Sequence, residues 1–247
     1  MKLTILGSGT AAPLLERNNS GYMLEADGKK FLLDSGAGIT RRLLELKFNL
    51  FDIGHIFYTH LHNDHINDLG AIIWGNNYGG KRKKALNLYG PKGFKKYFRI
   101  LNNKLLQKPK SPFGINIKEL KNSKIKIGNV NVTTNQIKHS STTKSIAYRF
   151  EHKGKSCVYA SDSEYCSETI KAAENADVLL IECSFPNKVE GHLTPSLAGK
   201  IASKANVKVL ILTHFYPEVL KTDIVKQCRK TFDGKIVLAS DKMKVNV

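Results

Sequence analysis

Short apolar runs, each closed by glycine or a polar turn, recur along the whole chain, and their periods divide it into strands and helices. Residues 2–6 read as a first strand, ended by Gly7-Ser8-Gly9-Thr10 and a polar loop through Asn19. Residues 22–25 and 30–33 alternate about Asp27-Gly28, a two-residue turn signal, and predict a hairpin. Ile39, Leu43, Leu44 and Leu46 share one side of a helix over 39–46. A strand over 53–58, a helix through 69–74, a strand over 86–89 and a helix carrying Phe94, Tyr97, Phe98 and Leu101 follow. Three strands come next, at 115–120, 125–127 and 130–137, and then a hairpin of 145–151 with 156–160 about Lys153-Gly154. The remainder reads as helix 168–174, buried strand 178–182, a helix to Lys204, strand 208–212, one helix over 218–229 and two short strands. The helix that ends at Lys204 has Thr194 as its N-cap and Pro195 at its first position. No Gly/Ser/Pro linker divides the halves, so the economical reading is one domain, 1–247, with sheets inside and helices outside.

With 247 residues, 41% of them hydrophobic and 24% charged, the chain has the make-up of a soluble globular protein with a sizeable core. It holds no apolar run of about eighteen residues, which excludes a membrane-spanning helix. The apolar start before Gly7 is too short for a signal peptide. Cys157, Cys166, Cys183 and Cys228 show no C-x-x-C pairing and are expected to be reduced thiols in a cytoplasmic protein. The net charge of +18 changes this picture through its distribution. No acidic residue occurs from Leu69 to Lys118, a window holding Lys81, Arg82, Lys83, Lys84, Lys92, Lys95, Lys96, Arg99, Lys104, Lys108, Lys110 and Lys118. A solvated lysine face and an RNA-binding surface through 81–110 are both consistent with it.

The chemistry concentrates at residues 59–65, T-H-L-H-N-D-H, directly after the predicted strand at 53–58. Imidazole and carboxylate suit divalent zinc, manganese and iron, with zinc the first expectation. His60 and His62 share a side of an extended segment, whereas Asp64 and His65 begin a new turn and can face a second point. Further ligands stand at later strand ends: His139, Asp162 and His214. The set divides into His60, His62 and His139 for one metal and Asp64, His65 and His214 for the other, with Asp162 bridging through its two oxygens. His55 and His152 have no place in this scheme and are expected to be structural or exposed.

This order, H-x-H-x-D-H followed by isolated His, Asp and His, resembles the metallo-β-lactamase superfamily. The resemblance implies an α/β fold, a four-layer αββα sandwich of two mixed sheets flanked by helices. It also implies a hydrolase with a hydroxide held between two metals, Asp64 orienting that nucleophile, and Asp34 as a supporting aspartate. The opening L-G-S-G-T-A-A-P with Arg17-Asn18-Asn19-Ser20 resembles ribonuclease Z and its phosphodiesterase relatives, as do Glu182 in I-E-C-S and His192 in G-H-L-T. In that branch the Glu and His pair beside the metals and aid phosphoester cleavage. Ser8, Gly9, Arg17 and Ser20 are then expected to line the substrate pocket. One hairpin alone separates His139 from Asp162, leaving no room for the long transfer-RNA arm of ribonuclease Z. A phosphodiesterase for a small or nucleotide-derived diester is therefore the leading expectation. An RNA endonuclease and a thioester or lactone hydrolase are its alternatives, and a homodimer is in keeping with the superfamily.

Overall fold

A computed structural model describes residues 1–80, 82–107, 110–140, 142–143 and 145–247. The strands β1 (Lys2–Gly7), β2 (Gly21–Ala26), β3 (Lys29–Leu33), β4 (Ile53–Phe57), β5 (Leu86–Gly90) and β6 (Ile115–Glu119) build a first sheet. A second holds β7 (Ser123–Ile127), β8 (Val130–Ile137), β9 (Ser145–His152), β10 (Lys155–Ala160), β11 (Val178–Glu182), β12 (Val209–Thr213) and β13 (Lys235–Leu238). The last strand, β14 (Lys244–Asn246), returns to the first sheet beside β1, giving seven strands in each. Each sheet is mixed. β3 through β6 run parallel in one, β10 through β13 in the other, and the rest are antiparallel.

The first sheet shows why four layers form. Its strands are apolar on both faces, so both must be covered. Leu3, Ile5, Tyr22, Leu24, Phe31, Leu33 and Phe57 point into a core shared with the second sheet. Their neighbours Leu6, Met23, Leu32 and Ile56 face outward, under α1 (Ile39–Glu45), α3 (Leu69–Tyr78) and α4 (Phe94–Ile100). On the far side of the second sheet lie α5 (Ser167–Ala173), α6 (Pro195–Lys204), α7 (Pro217–Leu220) and α8 (Ile224–Arg229). A remaining short helix, α2 (Asn63–Ile66), belongs to the histidine loop. The αββα expectation holds.

The helix expected over 218–229 divides instead into α7 and α8. Asp223 accepts from the Lys226 amide at 2.9 Å, a side-chain N-cap that starts a new helix. Among the basic residues of the central window, Arg82 is no part of a surface. It is buried, and its guanidinium donates to the carbonyls of Leu50, Ile53 and Lys84 and to Asn76 Oδ1. Lys83, Lys84, Lys92, Lys95, Lys96, Arg99, Lys104, Lys110 and Lys118 are exposed, and Lys81 and Lys108 lie outside the described residues. No helix among the described residues is long and apolar enough to cross a membrane.

Candidate metal centre

Every residue of the expected constellation stands just past the end of a strand, and the parallel strands deliver those ends to one edge of the sandwich. Asp34, after β3, is fully buried and organises the loop after β4. Its carboxylate accepts from Thr59 N and Thr59 Oγ1, both at 2.8 Å, and from Tyr159 Oη at 2.7 Å. It also accepts from His65 Nδ1 at 2.9 Å. Asp34 and His214 both have positive φ, 54° and 57°, turning the chain sharply at two strand ends. Gly36 lets the histidine loop cross close by, since a Cβ there would collide with the Asp64 carbonyl oxygen.

The donor atoms fall into the expected two groups. In the first, His60 Nε2 lies 3.0 Å from His62 Nδ1, and His139 Nε2 lies 3.3 Å from that same atom. In the second, His214 Nε2 is 3.2 Å from His65 Nε2 and 3.3 Å from Asp64 Oδ2. Asp162 faces both. Its Oδ1 is 3.3 Å from His65 and 3.4 Å from His214, and its Oδ2 is 3.9 Å from His60.

These separations fit divalent cations. Two nitrogens about 2.0–2.1 Å from one tetrahedral ion must lie about 3.3 Å apart. The far nitrogen of each ring is engaged, which fixes the tautomer and leaves the inner lone pair free. His139 Nδ1 donates to Gly191 O at 2.9 Å, and His65 Nδ1 to Asp34. His60, His214 and His62 meet hydroxyls of Thr59, Ser184 and Thr143 at 3.0, 3.0 and 3.1 Å. Charge points the same way. Burial, with the nearby His65, holds His60 neutral, its pKa pushed well down. Burial alone would raise Asp162, but His214 and His65 keep it well below the usual carboxylate range. Burial would likewise lower His65, yet Asp162 and Asp34 carry it well above its ordinary value. Carboxylates that call so strongly for a proton at His65 would accept a cation in its place.

Glu182 and His192 are also brought together. Glu182 Oε2 accepts from His192 Nδ1 at 3.0 Å and from Ser184 Oγ, while Oε1 accepts from Ser163 N at 2.5 Å. Burial would depress His192, but the Glu182 bond and charge, with Asp162 and Asp64 behind, raise it to about 9. One ring atom of His192 also lies within 4.8 Å of ligand atoms of Asp162 and His214. His55 stays apart, with Nδ1 3.2 Å from Tyr89 Oη, and His152 is at a turn against Asn129 O.

The residues expected to line a substrate pocket are engaged differently. Ser8, Gly9 and Ser20 are buried. Ser8 donates from N and Oγ to Asp241 at 2.9 and 2.8 Å, and Arg17 donates to Ser8 Oγ and Ala239 O. Gly9 packs on Arg17 and Asn18, and Ser20 O accepts from Gly36 N. Ser8 O accepts from Phe215 N at 3.1 Å, and the Arg17 guanidinium lies 4.9 Å over the Phe215 ring. The opening loop therefore braces the segment carrying His214. Asp241, which sequence reasoning missed, is its anchor. It also accepts from Asn18 N and from Arg42, in an ion pair at 2.9 Å whose side chains are only 10% and 5% exposed. Asp241→Ala leaves that guanidinium with Glu45 alone, 3.0 Å from its Nε, strips the Ser8 and Asn18 donors of their acceptor, and is expected to cost about 2–3 kcal/mol of stability, read by urea unfolding.

Comparison with known proteins agrees with this geometry. Residues 1–234 match the family model described as anti-Pycsar protein Apyc1. Ribonuclease Z of Archaeoglobus fulgidus is 25% identical over 307 residues, which cover 100% of this chain and 97% of the relative. That aligned length exceeds the 247 residues here, so the relative carries segments with no counterpart. The metallo-β-lactamase fold protein YhfI from Bacillus subtilis superposes with a TM-score of 0.86 at 24% identity, covering 99% and 98% of the two chains. A diphosphatase from the PhnP family gives 0.78 at 21%, covering 100% and 97%.

Proposed function

The chain belongs to the Apyc1 anti-Pycsar family, and from that premise we propose that this metallo-β-lactamase-fold hydrolase cleaves a small phosphodiester at two divalent cations, zinc first. His60, His62 and His139 would hold one cation, Asp64, His65 and His214 the other, with Asp162 shared. Bound there, the cations supply Lewis acidity toward phosphoryl oxygens and make water a nucleophile near neutral pH. The chain's own residues do the rest. Asp64 and Asp162 bring negative charge to the second group, and Asp64, whose Oδ2 faces His65 and His214, would orient the attacking water. His192, steadied by Glu182, carries a proton beside that group and gives it to the departing oxygen.

The observation that carries this reading is the 3.0 Å Glu182–His192 pair against the second donor group. A thioester expels a thiolate, a good leaving group with little need of such an acid, whereas a sugar alkoxide leaving phosphorus needs one. The relatives support the same class, since they include a ribonuclease and a diphosphatase by name. The test is a substrate panel on protein reconstituted with zinc, manganese or ferrous iron. It compares an aryl phosphodiester, cyclic nucleotides, precursor transfer RNA, a thioester and a lactone. Turnover of the small diesters is expected to exceed that of every other substrate. Preference for the thioester or lactone would overturn the proposal.

RNA cleavage is the second reading, favoured by the exposed lysines between Lys83 and Lys118. It requires turnover of precursor transfer RNA in the same panel, falling steeply with salt as phosphate contacts are screened. Sedimentation of the same protein tests the homodimer.

A further inference from the structure

Three loops meet at one side chain that the chemistry above does not use. Glu164, four residues past β10, donates its amide to Lys138 O at 2.8 Å. Its carboxylate accepts from Lys138 Nζ at 2.6 Å through Oε2 and from Gly191 N at 3.2 Å through Oε1. Gly191 is held on its other side as well, where its carbonyl accepts from His139 Nδ1 at 2.9 Å. Glu164 therefore ties the loop after β10, which carries Asp162, to the loop after β8, which carries His139. Through Gly191 it ties both to the segment that carries His192.

The hold falls where the chain is otherwise loose. Residues 187–190 are exposed, and Gly191 and His192 follow them directly. Glu182 fixes the His192 ring, while the backbone on its N-terminal side is anchored by the two bonds of Gly191. Gly191 has a φ of 81°, and a Cβ there would press on His139, 3.2 Å from its carbonyl oxygen and 3.3 Å from Nδ1. That close approach leaves the His139 and His192 rings with centroids 5.3 Å apart. An Nδ1–H that donates to a backbone carbonyl makes the opposite ring nitrogen a better ligand. Gly191 O thus serves His139 while Gly191 N anchors the approach to His192. The ion pair by itself would do little, since the Lys138 side chain is 69% exposed.

We propose that Glu164 is a positioning residue: by holding Gly191 it sets His192 for proton transfer and His139 for the first cation together. This rests on the metal and phosphodiesterase readings.

The test reads zinc affinity and leaving-group dependence in the same variants. Glu164→Ala is expected to weaken zinc at the first position about 3- to 10-fold, less than the roughly 10- to 100-fold of a ligand's direct partner. At saturating zinc, its turnover of a 3′,5′-cyclic nucleotide is expected to fall about 10-fold. Turnover of a nitrophenyl diester, whose phenolate leaves without an acid, should fall about 2-fold or less. Glu164→Gln keeps an oxygen for Gly191 N and is expected to recover most of both losses. Lys138→Ala is expected to stay within about 2-fold of wild type. Gly191→Ala presses on His139 from the same residue, should reproduce the pattern, and serves if Glu164→Ala fails to fold. Unchanged zinc affinity, equal losses on the two diesters, or a Lys138→Ala protein as impaired as Glu164→Ala overturns the joint role. Should wild type cleave neither diester, the phosphodiesterase reading fails, and zinc affinity in Glu164→Ala against Glu164→Gln decides the hold on its own.

Discussion

Asp162→Ala is expected to empty both metal positions and to lower phosphodiesterase turnover by about 10³-fold or more. The reason is its placement. One carboxylate oxygen faces His65 and His214, and the other faces His60. Asp162 is 2% exposed, so water cannot replace it easily at either position. Each cation is worth several kcal/mol to the transition state, and each 1.36 kcal/mol is tenfold in rate. His62→Ala is the instructive contrast. His62 is only partly buried and touches the first group alone, so one cation per chain should remain. Metal analysis of the dialysed variants, beside their circular dichroism, separates the two cases. An Asp162→Ala protein that keeps two cations and full turnover would sink the bridging role.

Residues 59–65 were legible because ligand spacing within one loop is a local property of the sequence. The strand ends were legible too. Apolar alternation stops where β8, β10 and β12 stop, and His139, Asp162 and His214 follow directly. The split between α7 and α8 also had a local signal, Thr222-Asp223, where an aspartate N-cap interrupts a helical pattern. Other features had none. Ser8 and Arg17 look like pocket residues in a glycine-rich loop, and only a contact with Asp241, 233 positions away from Ser8, shows that they brace His214 instead. Arg82 counts as surface charge in a window of lysines until its carbonyl partners are seen. Glu164 sits in no motif, and only its contact with Gly191, 27 positions on, shows that it joins two of the site's loops. Local patterns name the elements and the polar residues at their ends, and long-range contacts decide which way those residues face.

His192→Ala is expected to lower turnover by about 10²- to 10⁴-fold while the cations stay bound. The imidazole lies against Asp162 and His214, but its Nδ1 is held by Glu182, and the metal positions already have seven other donors. A proton donor matters most where the departing oxygen is basic. The loss should therefore be near its full size for a cyclic nucleotide, which expels a sugar alkoxide. It should be much smaller for a nitrophenyl diester, whose phenolate leaves without help. Glu182→Gln should reproduce this leaving-group dependence more weakly, because the ring keeps an oxygen partner and loses the charge that favours its protonated form. A pure ligand would behave otherwise. Equal losses on both substrates together with a metal content near one per chain would make His192 a ligand of the second cation and remove it as the acid.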